Sequence, residues 1–279
     1  MNVVYEWVIG PFQYGFMQSA LIASVIIAMT CGIIGSYVVL RRLAFIGDAL
    51  AHTALPGVVV AYLNGWNLFG GALAAGVMTA LGIGWMARKS TLREDTAIGV
   101  IFTAMFALGI VLMSSTQSFR DLSHILFGNI LGVDSTDVWL ISSVAVVVIV
   151  VLVLLHKELE LASFDALQAE VMGIHTDHLR TTLLVLLAFT VVTGIQVVGV
   201  ILTSALLVTP AATASLFTRD LRSMMIYAAV IGAGSAVLGL IVSFHYAVST
   251  GATIVLICTG FFAVSVVIQR LRQGRLQRP

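Results

Sequence analysis

Charge is scarce in this 279-residue chain: Asp, Glu, Lys and Arg make up 10% of it, against 59% hydrophobic residues. Soluble domains carry about 25% charged residues. A water-soluble fold is therefore excluded, and the mean hydropathy of +1.07 reads as an integral membrane protein. The net charge of +1 says nothing of nucleic acid, and no basic run is long enough to bind it. The two cysteines, Cys31 and Cys258, sit apart in apolar segments, which leaves no redox or thiolate metal motif. No Gly-x-x-x-x-Gly-Lys-Ser/Thr phosphate loop occurs, so the chain is not expected to hydrolyse ATP itself and is read as no enzyme. The N-terminus lacks a basic n-region and a small-residue cleavage site, and the first span is expected to be retained.

Long apolar runs are what it has instead. Stretches able to cross a bilayer fall near 14–40, 43–63, 66–87, 96–115, 137–155, 180–195, 198–217, 223–244 and 250–269. The sixth and seventh are short and divided only by Gln196 and its neighbours, so the fold class is an all-α polytopic membrane bundle of eight or nine helices. Sidedness favours nine. With the N-terminus outside, Arg41, Arg42, Arg88, Lys89, Arg93, Lys157, Arg180, Arg219 and Arg222 all face the cytoplasm, as do Arg270, Arg272, Arg275 and Arg278 in the tail. Of the 14 Lys and Arg residues only Arg120 then faces outward. Merging the sixth and seventh spans would move Arg219, Arg222 and the tail outside. The chain thus reads as one membrane domain over 1–279 with a cytoplasmic C-terminus. Its outer surface holds Glu6, Asp121, Asp134 and Asp137 against Arg120, a mildly acidic mouth suited to cations or a basic partner. Within the outer loop, Phe127-Gly128-Asn129-Ile130-Leu131-Gly132 reads as a short interfacial helix.

Asp48 is the one acidic residue well inside a span. A carboxylate near the bilayer core costs roughly 2.5–3.5 kcal/mol even on lenient insertion scales, so it is a functional candidate by default. His52 follows four residues later, which on a helix puts both side chains on one face. A hard oxygen and an imidazole together suit a divalent cation. A plain Asp–His hydrogen bond between helices is the structural alternative, but a neutral partner only partly offsets a buried charge. Pro56 has no amide proton and clashes with the carbonyl four residues back, which predicts a bend at His52 that turns its freed carbonyl toward the pathway. Pro210 predicts a second kinked, close-packed helix. Gln196, Thr203, Ser204, Thr209 and Thr213 are lesser candidates, since hydroxyls in membrane helices more often bond their own backbone.

The inner loop, about 156–180, contains Ser163-Phe164-Asp165-Ala166-Leu167-Gln168-Ala169-Glu170-Val171-Met172-Gly173. Asp165 starts a short amphipathic helix, Ala166, Ala169 and Gly173 share one side of it, and Gly173 ends it. Presented to the cytoplasm, it resembles the coupling helix by which ABC permeases rest on their ATPase; Phe164, Asp165, Ala169, Glu170 and Gly173 are its candidate coupling residues.

Three segments together resemble one family. The run from Arg41 to His52 is similar to the signature of permease subunits in bacterial manganese/zinc/iron ABC importers. The Phe164-Asp165…Ala169…Gly173 loop and the stretch 199–214 through Thr203-Ser204 and Thr209-Pro210 resemble the same family. The resemblance implies a homodimeric permease in the bacterial cytoplasmic membrane, surrounded by lipid. It also implies ATP-binding subunits inside, a separate metal-binding protein outside, and the metal role on Asp48 and His52. No cofactor is expected to stay tightly bound; the metal is cargo. One Asp and one His cannot complete a cation shell, whereas two-fold symmetry would bring a second pair to the axis. Manganese accepts such a set with water, zinc accepts it as a tetrahedron, and the lack of thiolates leans toward Mn²⁺ or Fe²⁺ over Zn²⁺. The competing expectation is a proton-coupled secondary transporter in which Asp48 and His52 relay protons. An intramembrane enzyme is disfavoured because no nucleophile stands at matching spacing.

Overall fold

The computed structural model describes residues 7, 10–89, 94–114 and 130–276, and no strand occurs among them. Twelve helices follow in order: α1 (Gly15–Leu40), α2 (Ile46–Thr53), α3 (Leu55–Leu63), α4 (Leu68–Lys89), α5 (Glu94–Ser114), α6 (Ser135–Leu154), α7 (His156–Phe164), α8 (Ala166–Val171), α9 (Thr176–Val198), α10 (Val200–Ser215), α11 (Leu221–Tyr246) and α12 (Thr250–Leu276). Eight stretches are long and apolar enough to cross a membrane, one of them α2 and α3 taken together, and α10 is a shorter apolar helix. The chain is a polytopic all-α membrane protein. Of the outer and terminal residues named above, Glu6, Arg93, Arg120, Asp121, Arg278 and 127–129 lie outside the described residues; Ile130–Gly132 forms a 3-10 turn.

Glycine contacts give the relative direction of several helices. Gly32 meets Ala228 while Gly232 meets Ala28, so α1 and α11 run antiparallel; Gly239 against Ile254 does the same for α11 and α12. Gly194 faces Thr203, and Gly251 at the start of α12 lies against Leu202. α10 therefore begins at the level where α11 hands over to α12 and returns to the level where α11 starts. Among the described residues α10 is thus a further apolar helix, 16 residues long, beside the eight long apolar stretches. The sixth and seventh passes are separated at Gly199 rather than at Gln196. There φ is 87° and ψ 167°, a conformation open to glycine and few others. That backbone position, not the polarity of Gln196, sets the boundary.

Capping explains the other ends. Asp134 and Asp137 form a capping box at the start of α6, and Asp220 accepts from the Ser223 N–H at 2.8 Å to cap α11. α1 closes with the Leu43 N–H on the Val38 carbonyl (2.9 Å) and the Arg42 N–H on Val39 (3.1 Å), with Arg42 left-handed at φ 61°. α1, the α2–α3 pair and α9 form the enclosed centre, while α5, α6 and α12 face outward. The described Lys and Arg residues gather at one end, where Arg88 pairs with Asp177 (3.0 Å), Arg180 with Asp177 (2.8 Å), and Arg222 meets His156 (3.2 Å).

Candidate metal site

α2 is an eight-residue helix entered from the basic end of the bundle, and Asp48 and His52 both stand on it, half-buried. Gly47 lets α10 come close: a Cβ there would lie 2.7 Å from the Leu207 side chain. With α10 at that distance, the Ser204 hydroxyl reaches Asp48 and donates to Oδ1 at 2.8 Å. Ser204, ranked among the lesser candidates by sequence, is thus the residue that orients the carboxylate. Only the pairing of α10 with α2 reveals it, because 156 positions separate the two residues.

His52 is held differently. Its ring meets Phe106 edge-on at 5.2 Å and Phe102 at 6.0 Å, and these two phenylalanines stack on each other at 5.8 Å. Its Nδ1 is buried and has no hydrogen-bond partner among the described residues. A buried ring nitrogen left unpaired carries about 1–3 kcal/mol of desolvation. Asp48 and His52 are therefore not bonded to one another through that nitrogen. Phe102 and Phe106 were not legible as site residues, since aromatic pairs in membrane helices are common.

The span carrying the pair is divided, and the division falls at Ala54. Pro56 occupies the first turn of α3, where its missing N–H is an orphan in any case. It packs on Gly109 of α5, whose Cβ would lie 3.2 Å from the proline ring. Ala54, between α2 and α3, is itself helical at φ −70° and ψ −22°, so the chain passes the division without leaving the helical region. α10 continues through Pro210, which is buried. Thr203 and Thr213 bond the Gly199 and Thr209 carbonyls at 2.8 and 2.7 Å, serving their own helix.

At the basic end, Asp165 caps α8 by accepting from the Gln168 N–H at 2.9 Å. Gly173, at φ 82°, ends it: the Ile174 N–H bonds Ala169 (3.0 Å) and the Gly173 N–H bonds Glu170 (2.9 Å). Glu170 accepts from the Thr176 hydroxyl at 2.8 Å, tying α8 to the start of α9. Of the small residues, Ala169 is fully buried against the chain itself, while Ala166 and Gly173 are exposed. The outward side is apolar: Phe164, Leu167, Val171 and Met172 are 60%, 74%, 83% and 65% exposed. Elsewhere His245 Nδ1 meets the Ile241 carbonyl at 2.9 Å and its ring stacks on Trp7. His175 and His178 lie 5.7 Å apart, and no group of three or more potential metal ligands occurs among the described residues.

Comparison with known proteins bears on this arrangement. A family model described as the ABC 3 transport family matches residues 13–269. The chain is 44% identical over 256 residues to the manganese transport system membrane protein MntC of Listeria monocytogenes, covering 92% of this chain and 91% of that one. It is 37% identical over 269 residues to a probable iron transport system membrane protein of Haemophilus influenzae, covering 96% and 99%. Its fold matches a chain of PsaBC from Streptococcus pneumoniae, solved in complex with Fab, with a TM-score of 0.82 at 37% identity over 94% and 95% of the two chains.

Proposed function

This chain belongs to the ABC 3 transport family, and we propose that it is the membrane permease of an ATP-driven importer of divalent transition-metal ions, Mn²⁺ first, with Fe²⁺ or Zn²⁺ as alternatives. The observation that carries the proposal is the half-site on α2: a carboxylate oriented by Ser204 through one oxygen, and an imidazole walled by Phe102 and Phe106 with a buried nitrogen left over. One chain brings no third ligand among the described residues. A second copy related by two-fold symmetry completes the set, doubling Asp48 and His52 around one ion. Both relatives named for their metal, manganese in one and iron in the other, support cargo of that class.

The end of the bundle rich in Lys and Arg faces the cytoplasm under the positive-inside rule, with the beginning of α1 outside and the membrane the bacterial inner one. An external metal-binding protein delivers the ion to the outer face. ATP-binding subunits dock on the exposed apolar ridge of α8, and their movement opens the inner side of the site, which is alternating access. Phe164, Asp165 and Gly173 shape that ridge, Glu170 anchors it, and Ala169 seats it. The test is growth rescue and radiolabelled uptake of Mn²⁺, Zn²⁺ and Fe²⁺, with Asp48→Asn and His52→Ala as controls. Both variants abolish uptake on this reading. Uptake that survives an ATPase-dead partner but collapses with the proton gradient would sink it in favour of a proton-coupled carrier.

A further inference from the structure

Two ties hold α7 against the basic end of α1. At the first residue of α7, His156 Nδ1 shares a hydrogen bond with the Tyr37 hydroxyl at 2.9 Å. At its last turn, Arg41 Nε donates to the Ser163 hydroxyl oxygen at 2.9 Å. The Ser163 proton is already committed to the Leu159 carbonyl at 2.6 Å, so its lone pair faces Arg41 and requires a donor there. The ties are seven residues apart, about 10 Å along α7, and together they stop the helix from pivoting about either one.

Arg41 also stands at the corner that leads to the metal ligands. Its own N–H closes α1 on the Tyr37 carbonyl at 3.0 Å, Arg42 turns the chain through a left-handed residue, and buried Leu43 anchors it. α2 then begins at Ile46, two residues before Asp48. The Arg41 charge is felt by two further helices, through Glu94 at the head of α5 and Arg180 in α9. Burial works against that charge and Glu94 supports it. α5 is the helix whose Phe102 and Phe106 wall His52. On its far side, Ser163 directly precedes Phe164 and Asp165, the entry to α8. One guanidinium therefore joins the segment that meets the cytoplasmic partner to the corner that leads into the half-site.

We propose that Arg41 is a positioning residue for transport: through Ser163 it clamps the α7–α8 segment to the corner bearing Asp48, so that a push on α8 moves the metal ligands. The clamp rests on the proposed function, with α8 as the docking element. Its measure is Mn²⁺ imported per ATP hydrolysed by the permease, its ATP-binding subunits and its metal-binding protein in proteoliposomes. Ser163→Ala removes the acceptor, together with the hydroxyl's own bond to the Leu159 carbonyl within α7. Arg41→Lys keeps the charge but lacks Nε and the planar fork. Each lowers the ratio roughly tenfold, the scale of one hydrogen bond to a charged group, while ATP hydrolysis continues. The double variant falls no further than the lower single one, because both remove the same bond.

A wild-type ratio in Ser163→Ala overturns the clamp, as do losses that multiply in the double variant. A fall in thermal stability with the ratio unchanged overturns it too, since that is a structural role alone. Failure of the underlying reading shows elsewhere: a wild-type complex without ATP-dependent uptake, or Asp48→Asn importing normally, removes the proposed function and the clamp with it.

Discussion

Replacing Ser204 with alanine separates a carboxylate held for a cation from one held for packing. Ser204 makes the one hydrogen bond to the Asp48 side chain among the described residues, at 2.8 Å to Oδ1. That bond fixes the carboxylate plane and leaves Oδ2 for an ion. A hydrogen bond to a charged group contributes about 1.5–3 kcal/mol. Independently, groups that orient a metal ligand change metal affinity or activity by about 10–100-fold when removed, or about 1.4–2.8 kcal/mol. The two scales agree. In a symmetric dimer one substitution alters both copies around a single ion, which places the effect toward the upper end. The assay is Mn²⁺ binding to purified permease by titration calorimetry, beside uptake as a function of external Mn²⁺. Ser204→Ala should weaken binding by about 30- to 100-fold, with Asp48→Asn weaker still and the double variant no weaker than Asp48→Asn. A Ser204→Ala protein that melts earlier yet binds Mn²⁺ like wild type would refute the reasoning, because Ser204 would then only join α10 to α2. Losses that add in the double variant would refute it as well.

Three further outcomes follow from the packing and the caps. A Cβ at Gly35 would overlap the Leu207 carbonyl oxygen, so Gly35→Ala forces α1 from α10 and should destabilise the purified protein by about 1–3 kcal/mol, read as a lower melting temperature; an unchanged one contradicts the close approach. Asp220 accepts from Ser223, which holds its carboxyl below the usual carboxylate range. A depressed folded value means stability that is present above the unfolded value of about 3.9 and is lost as pH falls through the folded one. The melting-temperature gap between wild type and Asp220→Asn should therefore close below about pH 4, and a constant gap counts against it. Leu167→Glu puts a charge on the exposed ridge of α8 and should abolish uptake and co-purification of the ATP-binding subunits at normal permease yield; retained co-purification moves the docking surface elsewhere.

What the sequence made legible was what lies within one helix or on one side of the membrane. The four-residue offset of Asp48 and His52 needs only helical geometry, and the gathering of the described basic residues at one end of the bundle needs only span counting. Asp165 and Gly173 bracket α8 because capping is local chemistry. Pro56 marked the divided span, yet the break fell two residues beyond His52. A proline in the first turn of a new helix costs little, because its missing N–H has no helical partner there.

The contacts that turn two residues into a site were not legible, for one physical reason. Ser204 meets Asp48, Arg41 meets Ser163 and Tyr37 meets His156 across 156, 122 and 119 positions, and each depends on which face of one helix is presented to another. In a span apolar on all sides, side-chain polarity does not choose that face. Small residues choose it instead. Gly47 admits α10 beside Asp48, Gly35 admits the Leu207 backbone, and Gly109 admits Pro56. On α8, Ala169 packs on its own chain, while Ala166, Gly173 and the larger Leu167 and Val171 face out. In this bundle glycine and alanine mark where helices have already met. On the proposed function, the buried His52 nitrogen is where a metal ion would bind and the exposed apolar ridge of α8 where an ATP-binding subunit would dock.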